Sequence, residues 1–262
     1  MELSITSDYM KDRGDPSPYL RRIADAGFAH VHWCHQWNTD FLYSHSEIEQ
    51  IQRWLAEYGL RLLDLHASAG AEKNWASPRE YERLAGVELV KNRLEMTARL
   101  GGDVIIMHIP DEPGCDPLRK SLDELEGYAR GLNVRIAIEN GKFEAIRPVL
   151  SERDPGCVGL CYDAGHGNLG GGNGLDHLDA LKSRLISVHL HDNDGTKDQH
   201  NLPFSGTVDW PRLAGIMAQS AYTKCVSMEV VIANSGIGDE TEFLGAAYKA
   251  GMRLSRMIEE QR

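Results

Sequence analysis

Short apolar runs alternate with longer stretches of helical period along the whole chain. Glu2–Ser7 reads as a first strand, a helix opens at Asp15-Pro16 and runs through Ala26 to a stop at Gly27, and His30–Cys34 reads as a second strand. Ser46-x-x-Glu49 has the spacing of a capping box for a helix with Ile48, Ile51, Trp54 and Leu55 on one side, ended by Gly59. Arg61–His66 is strand three. Ser77-Pro78-x-Glu80 combines a cap, a first-turn proline and a capping-box acid, and predicts a helix to about Leu100, stopped by Gly101-Gly102. Asp103–His108, Val134–Glu139, Val158–Asp163, Leu185–His191 and Cys225–Glu229 are strands four to eight, and a last helix spans about Glu240 to Ile258.

Strands that are apolar along most of their length, each followed by a helix, are the mark of a parallel sheet covered by helices. Eight such units without a Pro/Gly/Ser linker predict a single-domain (β/α)8 TIM barrel over residues 1–262, close to the roughly 250 residues usual for that fold. A doubly wound open sheet is the competitor, but its Gly-rich phosphate turn after the first strand is absent.

The ends of these strands change the picture. Strand three ends in His66, four in His108, five in Glu139, six in Asp163 with His166 behind it, seven in His189 and eight in Glu229. A barrel builds its active site at the carboxyl ends of its strands. One strand-end histidine is more often structural than functional, but so many together are hard to explain by packing, because each buried polar group needs a partner. Period-two alternation puts His189 and His191 on one face, and a polar loop then delivers Asp198 and His200. A divalent cation is the cheapest partner for such a cluster. For Asp192 and Asp194 alone, a solvated acidic loop is the simpler expectation. A histidine and carboxylate set without thiolate suits Zn, Mn, Co or Fe(II), and leaves Mg open.

Composition adds bounds. A hydrophobic share of 42% with 26% charged residues is ordinary for a globular enzyme, and the net charge of −11 argues against nucleic acid as a partner. No basic region followed by an apolar run opens the chain, and no run approaches the ~18 apolar residues of a membrane span. Five cysteines without zinc-ribbon spacing suit a reducing cytoplasm, with Cys157 and Cys161 expected to pack rather than bridge.

With its strand-end residues in this order, the chain resembles the xylose isomerase-like TIM-barrel superfamily, which includes tagatose-type sugar 3-epimerases, hydroxypyruvate isomerase, inosose dehydratase and endonuclease IV. The resemblance to the epimerases implies that Glu139, Asp163, His189 and Glu229 hold a metal. It also places His166, in Asp163-Ala164-Gly165-His166, beside the substrate. Similarity to endonuclease IV implies a larger set of up to three ions. His66, His108 and Glu139 would serve one, the quartet a second, and His166 with Asp198 and His200 a third. The chain departs from that enzyme at Ala67-Ser68-Ala69-Gly70 after His66, at Phe204-Ser205-Gly206-Thr207, and at His32-Trp33-Cys34-His35-Gln36-Trp37. These departures argue against DNA as substrate while leaving the metals in place.

The resemblance implies a sugar, polyol or keto-acid isomerase or epimerase using one to three divalent ions (Mn, Zn, Co or Mg). Glu139 and Glu229 would be acid and base around a metal-stabilised enediolate, and His166 would polarise the substrate oxygen. His32, Trp33, His191 and His200 are candidate substrate-binding residues. Trp33, Trp37, Trp75, Phe204 and Trp210 could stack on a sugar ring, and Lys73, Lys142 and Lys197 are the cations a phosphorylated substrate would want. The run Gly165–Gly174 reads as a flexible loop or lid over the site. The alternative activity is multinuclear zinc phosphoester hydrolysis, and a non-catalytic metal-containing barrel ranks last. The expected partner is a small carbohydrate, and a homo-oligomer is compatible with the fold.

Overall fold

In the computed structural model, which describes residues 1–34, 42–68, 74–169 and 173–262, strands and helices alternate throughout. They are β1 (Leu3–Thr6), α1 (Ser17–Asp25), β2 (His30–Trp33), α2 (His45–Tyr58), β3 (Arg61–Ser68), α3 (Glu80–Arg99), β4 (Val104–Met107), α4 (Asp116–Gly131) and β5 (Arg135–Glu139). Then follow α5 (Phe143–Glu152), β6 (Val158–Asp163), α6 (Ala164–Asn168), α7 (Gly174–Leu181), β7 (Leu185–His189), α8 (Trp210–Ala218), β8 (Val226–Met228) and α9 (Glu240–Glu259). The strands pair in parallel in the order β7-β6-β5-β4-β3-β2-β1-β8. Just past β7, Leu190 N donates to Ser227 O at 2.9 Å, drawing the two edge strands together. The result is a nearly closed (β/α)8 barrel.

Burial on both faces explains the strand sequences. All of β4 (VIIM) and β6 (VGLCYD) is buried, one face toward the helices and one toward the barrel axis. The alternation that points His108, Glu139 and Asp163 inward also points Ile106, Ala137 and Cys161 inward. With Val104 and Ile186 they form an apolar cluster separate from the core between barrel and helices. Polar residues share the interior: Asp64 accepts from His32 Nδ1 at 2.8 Å and from the Ser187 hydroxyl, all three buried.

Several boundaries move. The capping box of α2 is Ser44 with Glu47, two residues before the predicted pair: Ser44 Oγ accepts from Glu47 N at 3.3 Å, and Glu47 accepts from Ser44 N at 2.7 Å. Both frames satisfy the S-x-x-E spacing, and Ser46 lies inside the helix. Helix α3 begins at Glu80 with Arg79 as its cap, so Pro78 precedes it. The Ser77 hydroxyl accepts from Arg79 N at 3.1 Å and donates to Glu82 at 2.7 Å. Strand β7 ends at His189, and His191 belongs to the segment after it. Cys157 and Cys161 are buried and unbridged, as expected. Among the described residues no helix is long and apolar enough to cross a membrane.

Candidate metal centre at the carboxyl end of the barrel

Glu139 ends β5 and Asp163 ends β6, while His189 ends β7 and Glu229 follows β8. Their inward side chains meet: His189 Nδ1 lies 3.1 Å from Glu139 Oε1, 2.9 Å from Glu229 Oε2 and 3.9 Å from Asp163 Oδ2. One donor atom from each of the four falls within 4.8 Å of the others. All are buried or nearly so, with Asp163 and His189 fully enclosed. Asn140, next in sequence to Glu139, holds the end of β6. Its Nδ2 donates to Asp163 O at 3.0 Å and its Oδ1 accepts from Asp163 N at 2.6 Å. Asp163 also caps α6, accepting from His166 N at 2.7 Å.

Two further groups flank the quartet. His66 and His108 each place Nε2 3.3 Å from Glu139 Oε2, yet that oxygen has no hydrogen-bond partner, because neither imidazole is aligned to donate. Donors that converge without pointing at one another are arranged around a shared point. On the other side Asp198 gathers His200 Nε2 at 3.1 Å, His166 Nε2 at 3.3 Å and His191 Nε2 at 3.6 Å. The compact triple there is His191, Asp198 and His200, with His191 rather than His166 as the second imidazole. The His191 and His200 rings stack at 4.1 Å, and His191 Nε2 reaches Asp163 Oδ2 at 3.0 Å. His200 sits at φ +49°, a left-handed conformation that costs an L-residue about 1–2 kcal/mol. It is held there by Val231 N donating to its carbonyl at 3.0 Å and by its Nδ1 donating to Glu229 O at 2.9 Å.

Electrostatics follow from this crowding. Burial opposes ionisation of Glu139, but the neighbouring His189, His66 and His108 outweigh it and hold the carboxyl well below its usual range. Glu229 is likewise held low against burial, chiefly by His189. His166 is pushed up to about 10, where burial is overcome by Asp163, Asp198 and Glu139. His200 rises to about 9 on the same balance, with Asp198 and Glu229 outweighing burial. His108, for which burial dominates, is shifted down. Imidazolium protons thus fill the role that a dication would take, and the donor set fits one: Glu139 and Glu229 are held ionised, and the buried Glu139 Oε2 and His189 Nε2 lack partners among the described residues.

Other expected residues sit differently. His32 is fully buried inside the barrel with its ring 4.4 Å from that of His189, and its neighbour Trp33 therefore faces outward. Trp33 is 1% exposed and its indole donates to Tyr43 Oη at 3.2 Å, so it packs the core and does not reach a substrate. His191 is enclosed beneath His200, which removes it from direct contact with a ligand at the mouth. Trp75 is buried and donates to His108 O at 3.2 Å, and Trp210 is buried and donates to Asp192 Oδ2 at 2.8 Å. Phe204 lies under the Arg253 guanidinium, 3.8 Å from its ring centre. These aromatics brace the loops and do not offer stacking faces. Asp192 is a buried anchor and not a solvated loop residue, accepting also from Val208 N at 3.1 Å and Asn193 N at 3.0 Å. Lys142 is 3.6 Å from Asp111 and Lys197 is exposed.

The described glycines of the expected lid, Gly165, Gly167 and Gly174, are packing residues. A Cβ on Gly165 would fall 1.9 Å from the His191 ring, one on Gly167 2.2 Å from Tyr162 Oη, and one on Gly174 2.3 Å from Gly167 O. Trp37, Lys73 and positions 170–172 of the glycine run lie outside the described residues. Three participants went unread: Asp64 beneath His32, Asn140 behind Glu139, and Asp8. Asp8 follows β1 beside Glu229 and Cys34, and burial raises its carboxyl. Asp8 is in phase with inward Thr6, a signal that period-two counting carried past the strand end would have found.

Comparison with known proteins adds the following. A family model described as a xylose isomerase-like TIM barrel matches residues 20–251. Protein y4fM of Sinorhizobium fredii is 29% identical over 279 aligned residues, which span 93% of this chain and 89% of y4fM. Among solved structures, a D-tagatose 3-epimerase-like protein superposes with a TM-score of 0.79 at 20% identity, covering 100% of this chain and 98% of the other. A D-psicose 3-epimerase with D-tagatose from Clostridium cellulolyticum H10 gives 0.77 at 17% identity, covering 98% and 99%. At such identities the shared property is the fold.

Proposed function

The chain belongs to the xylose isomerase-like TIM-barrel family, and from that premise we propose that it is a divalent-metal-dependent isomerase or epimerase of a sugar or sugar-like carbonyl compound. One observation carries the reading: Glu139 of β5 and Glu229 after β8 both face His189 Nδ1, at 3.1 and 2.9 Å, and both are held ionised. The kinship of the fold with a D-psicose 3-epimerase supports the same class of substrate.

Glu139, Asp163, His189 and Glu229 would hold the metal, with His166 at its edge. A divalent cation there supplies Lewis acidity, polarising a carbonyl and lowering the cost of removing a proton from the neighbouring carbon. The chain's own residues do the rest. One of the two glutamates accepts that proton at a carboxylate oxygen, and the other returns one. Return from the opposite face inverts the carbon, and return to the adjacent carbon exchanges aldose for ketose. His166, kept protonated by Asp163 and Asp198 against its burial, holds Asn140 O through Nδ1 at 3.1 Å and Asp198 Oδ2 through Nε2 at 3.3 Å, so it would reach a substrate oxygen only by exchanging its bond to Asp198.

The test is proton exchange. Incubation with ketohexoses and inososes in deuterated water, followed by NMR, should show deuterium entering the carbon beside the carbonyl. Glu139→Gln or Glu229→Gln should slow that exchange by about 10²–10⁴-fold. No exchange with any such substrate in the metal-loaded protein would overturn the reading. A second reading, multinuclear phosphoester hydrolysis, is favoured by one specific observation, the two further donor groups around His108 and Asp198. It predicts hydrolysis of phosphate esters that is lost with His108→Ala.

A further inference from the structure

Beside the quartet, on the side of β1 and β2, stands a fourth group of donors that contains sulfur. His32 Nε2 or Nδ1, Cys34 Sγ and a Glu229 oxygen lie within 4.8 Å of one another. Which histidine nitrogen faces the group follows from its other bond. Nδ1 is taken by Asp64 Oδ1 at 2.8 Å, and Asp64 is itself fixed by the Ser187 hydroxyl. Nε2 is left with no hydrogen-bond partner among the described residues, on a side chain with zero exposure. A buried imidazole nitrogen without a partner is left with its desolvation cost uncompensated. A carboxylate on the far nitrogen is the arrangement that fixes the tautomer of a metal-binding histidine and aims its lone pair.

The remaining donors agree. Glu229 turns Oε2 to His189 and has a second oxygen to spare. Asp8 lies beside Cys34 and Glu229 and accepts from the Thr6 hydroxyl. In a tetrahedral zinc site with bonds of about 2.0–2.3 Å, donors stand roughly 3.6 Å apart, so the group would contract by little more than about 1 Å. A thiol among the donors selects zinc or cobalt and disfavours magnesium.

We propose that His32, Cys34 and Glu229 hold a second ion of zinc type, thiolate-ligated and bridged through Glu229 to the ion of the quartet. Uptake converts the Cys34 thiol to a thiolate and releases its proton to solvent. The inference touches the reading above only at Glu229, and does not depend on which substrate the first ion serves.

Cobalt titration of the metal-free full chain tests it, because a thiolate ligand adds a near-ultraviolet charge-transfer band that nitrogen and oxygen ligands lack. The band is expected in the parent protein, lost in Cys34→Ser and His32→Ala, and kept in Cys161→Ser and Cys225→Ser. Cys225 is the necessary control, since with His30 at the start of β2 and Glu2 just before β1 it forms another sulfur-containing group. Asp64→Asn, which leaves every ligand in place, should weaken the second ion by about 10–100-fold. Circular dichroism confirms that each variant is folded. A parent protein that binds cobalt without the band, or a band that disappears with Cys161 or Cys225 instead, overturns the proposal. Absent proton exchange with the band intact would instead count against the sugar reading alone.

Discussion

His166 and Glu139 carry opposite shifts, and their signs set the response of the metal-free protein to pH. The folded pKa of His166 is about 10 against an ordinary 6.5, with burial outweighed by Asp163, Asp198 and Glu139. A raised folded value contributes stability that is full below about 6.5 and is lost as pH rises through about 10. His200, raised to about 9, adds to the same decline. Glu139 is depressed, with burial overcome by His189, His66 and His108, so its contribution exists above the ordinary 4.5 and disappears only in strong acid. Metal ligation needs unprotonated imidazoles, and therefore strengthens across the window in which the metal-free protein weakens. Calorimetry of chelator-treated protein should show its melting temperature falling between about pH 6.5 and 10. The gap to the metal-loaded protein should widen over that range. A gap independent of pH would mean that these imidazoles do not exchange their protons for the ion.

At the scale of elements, two glycines predict opposite outcomes for the same substitution. Gly165, in α6, is pressed against His191, which Asp163 and His200 hold in place, so Gly165→Ala must shift the ring or the helix. It should destabilise by about 1–3 kcal/mol. Gly127, within α4, has open space where a Cβ would go, and Gly127→Ala should stabilise by about 0.5–1 kcal/mol. Urea midpoints of the two variants test both signs. The same contrast shows what a sequence can disclose about its elements. The eight strands were legible because burial on both faces leaves largely apolar runs, and because His108, Glu139, Asp163, His189 and Glu229 stand where those runs stop; His66 lies two residues inside β3, which continues to Ser68. The glycine run looked like a loop, since nothing local records that His191 and Tyr162 press on Gly165 and Gly167. Asp192 and Trp210 looked like a solvated acid and a free aromatic because their mutual bond spans 18 positions. The capping box slipped by two residues because Ser44 and Ser46 satisfy the same spacing, and only backbone geometry chooses.

At the scale of the whole molecule, the quartet draws its donors from positions 139 to 229, and it is the near closure of the barrel between β7 and β8 that brings Glu229 to the other three. Binding of an ion there is thus coupled to global folding: it stabilises by RT ln(1 + [metal]/Kd), about 2.7 kcal/mol at a hundredfold excess over Kd. Glu139 stands where the ring's donor groups overlap, facing His189 with Oε1 and the His66–His108 pair with Oε2. His108 belongs to one flank only. Glu139→Gln should therefore abolish most of the thermal shift on adding Mn, an ion that the thiol-containing group does not select. His108→Ala should keep the quartet's ion and its share of the shift, losing an ion only if the flank binds its own. Elemental analysis with thermal melts of the three proteins separates the cases. A parent and His108→Ala variant with equal metal content would leave His66 and His108 as substrate-facing imidazoles. A deficit in the variant would assign them an ion, and would move the balance toward the phosphoester reading. Retention of the full metal content and shift by Glu139→Gln would contradict the placement of the centre itself, because among the described residues Glu139 is the one shared by the quartet and the His66–His108 group.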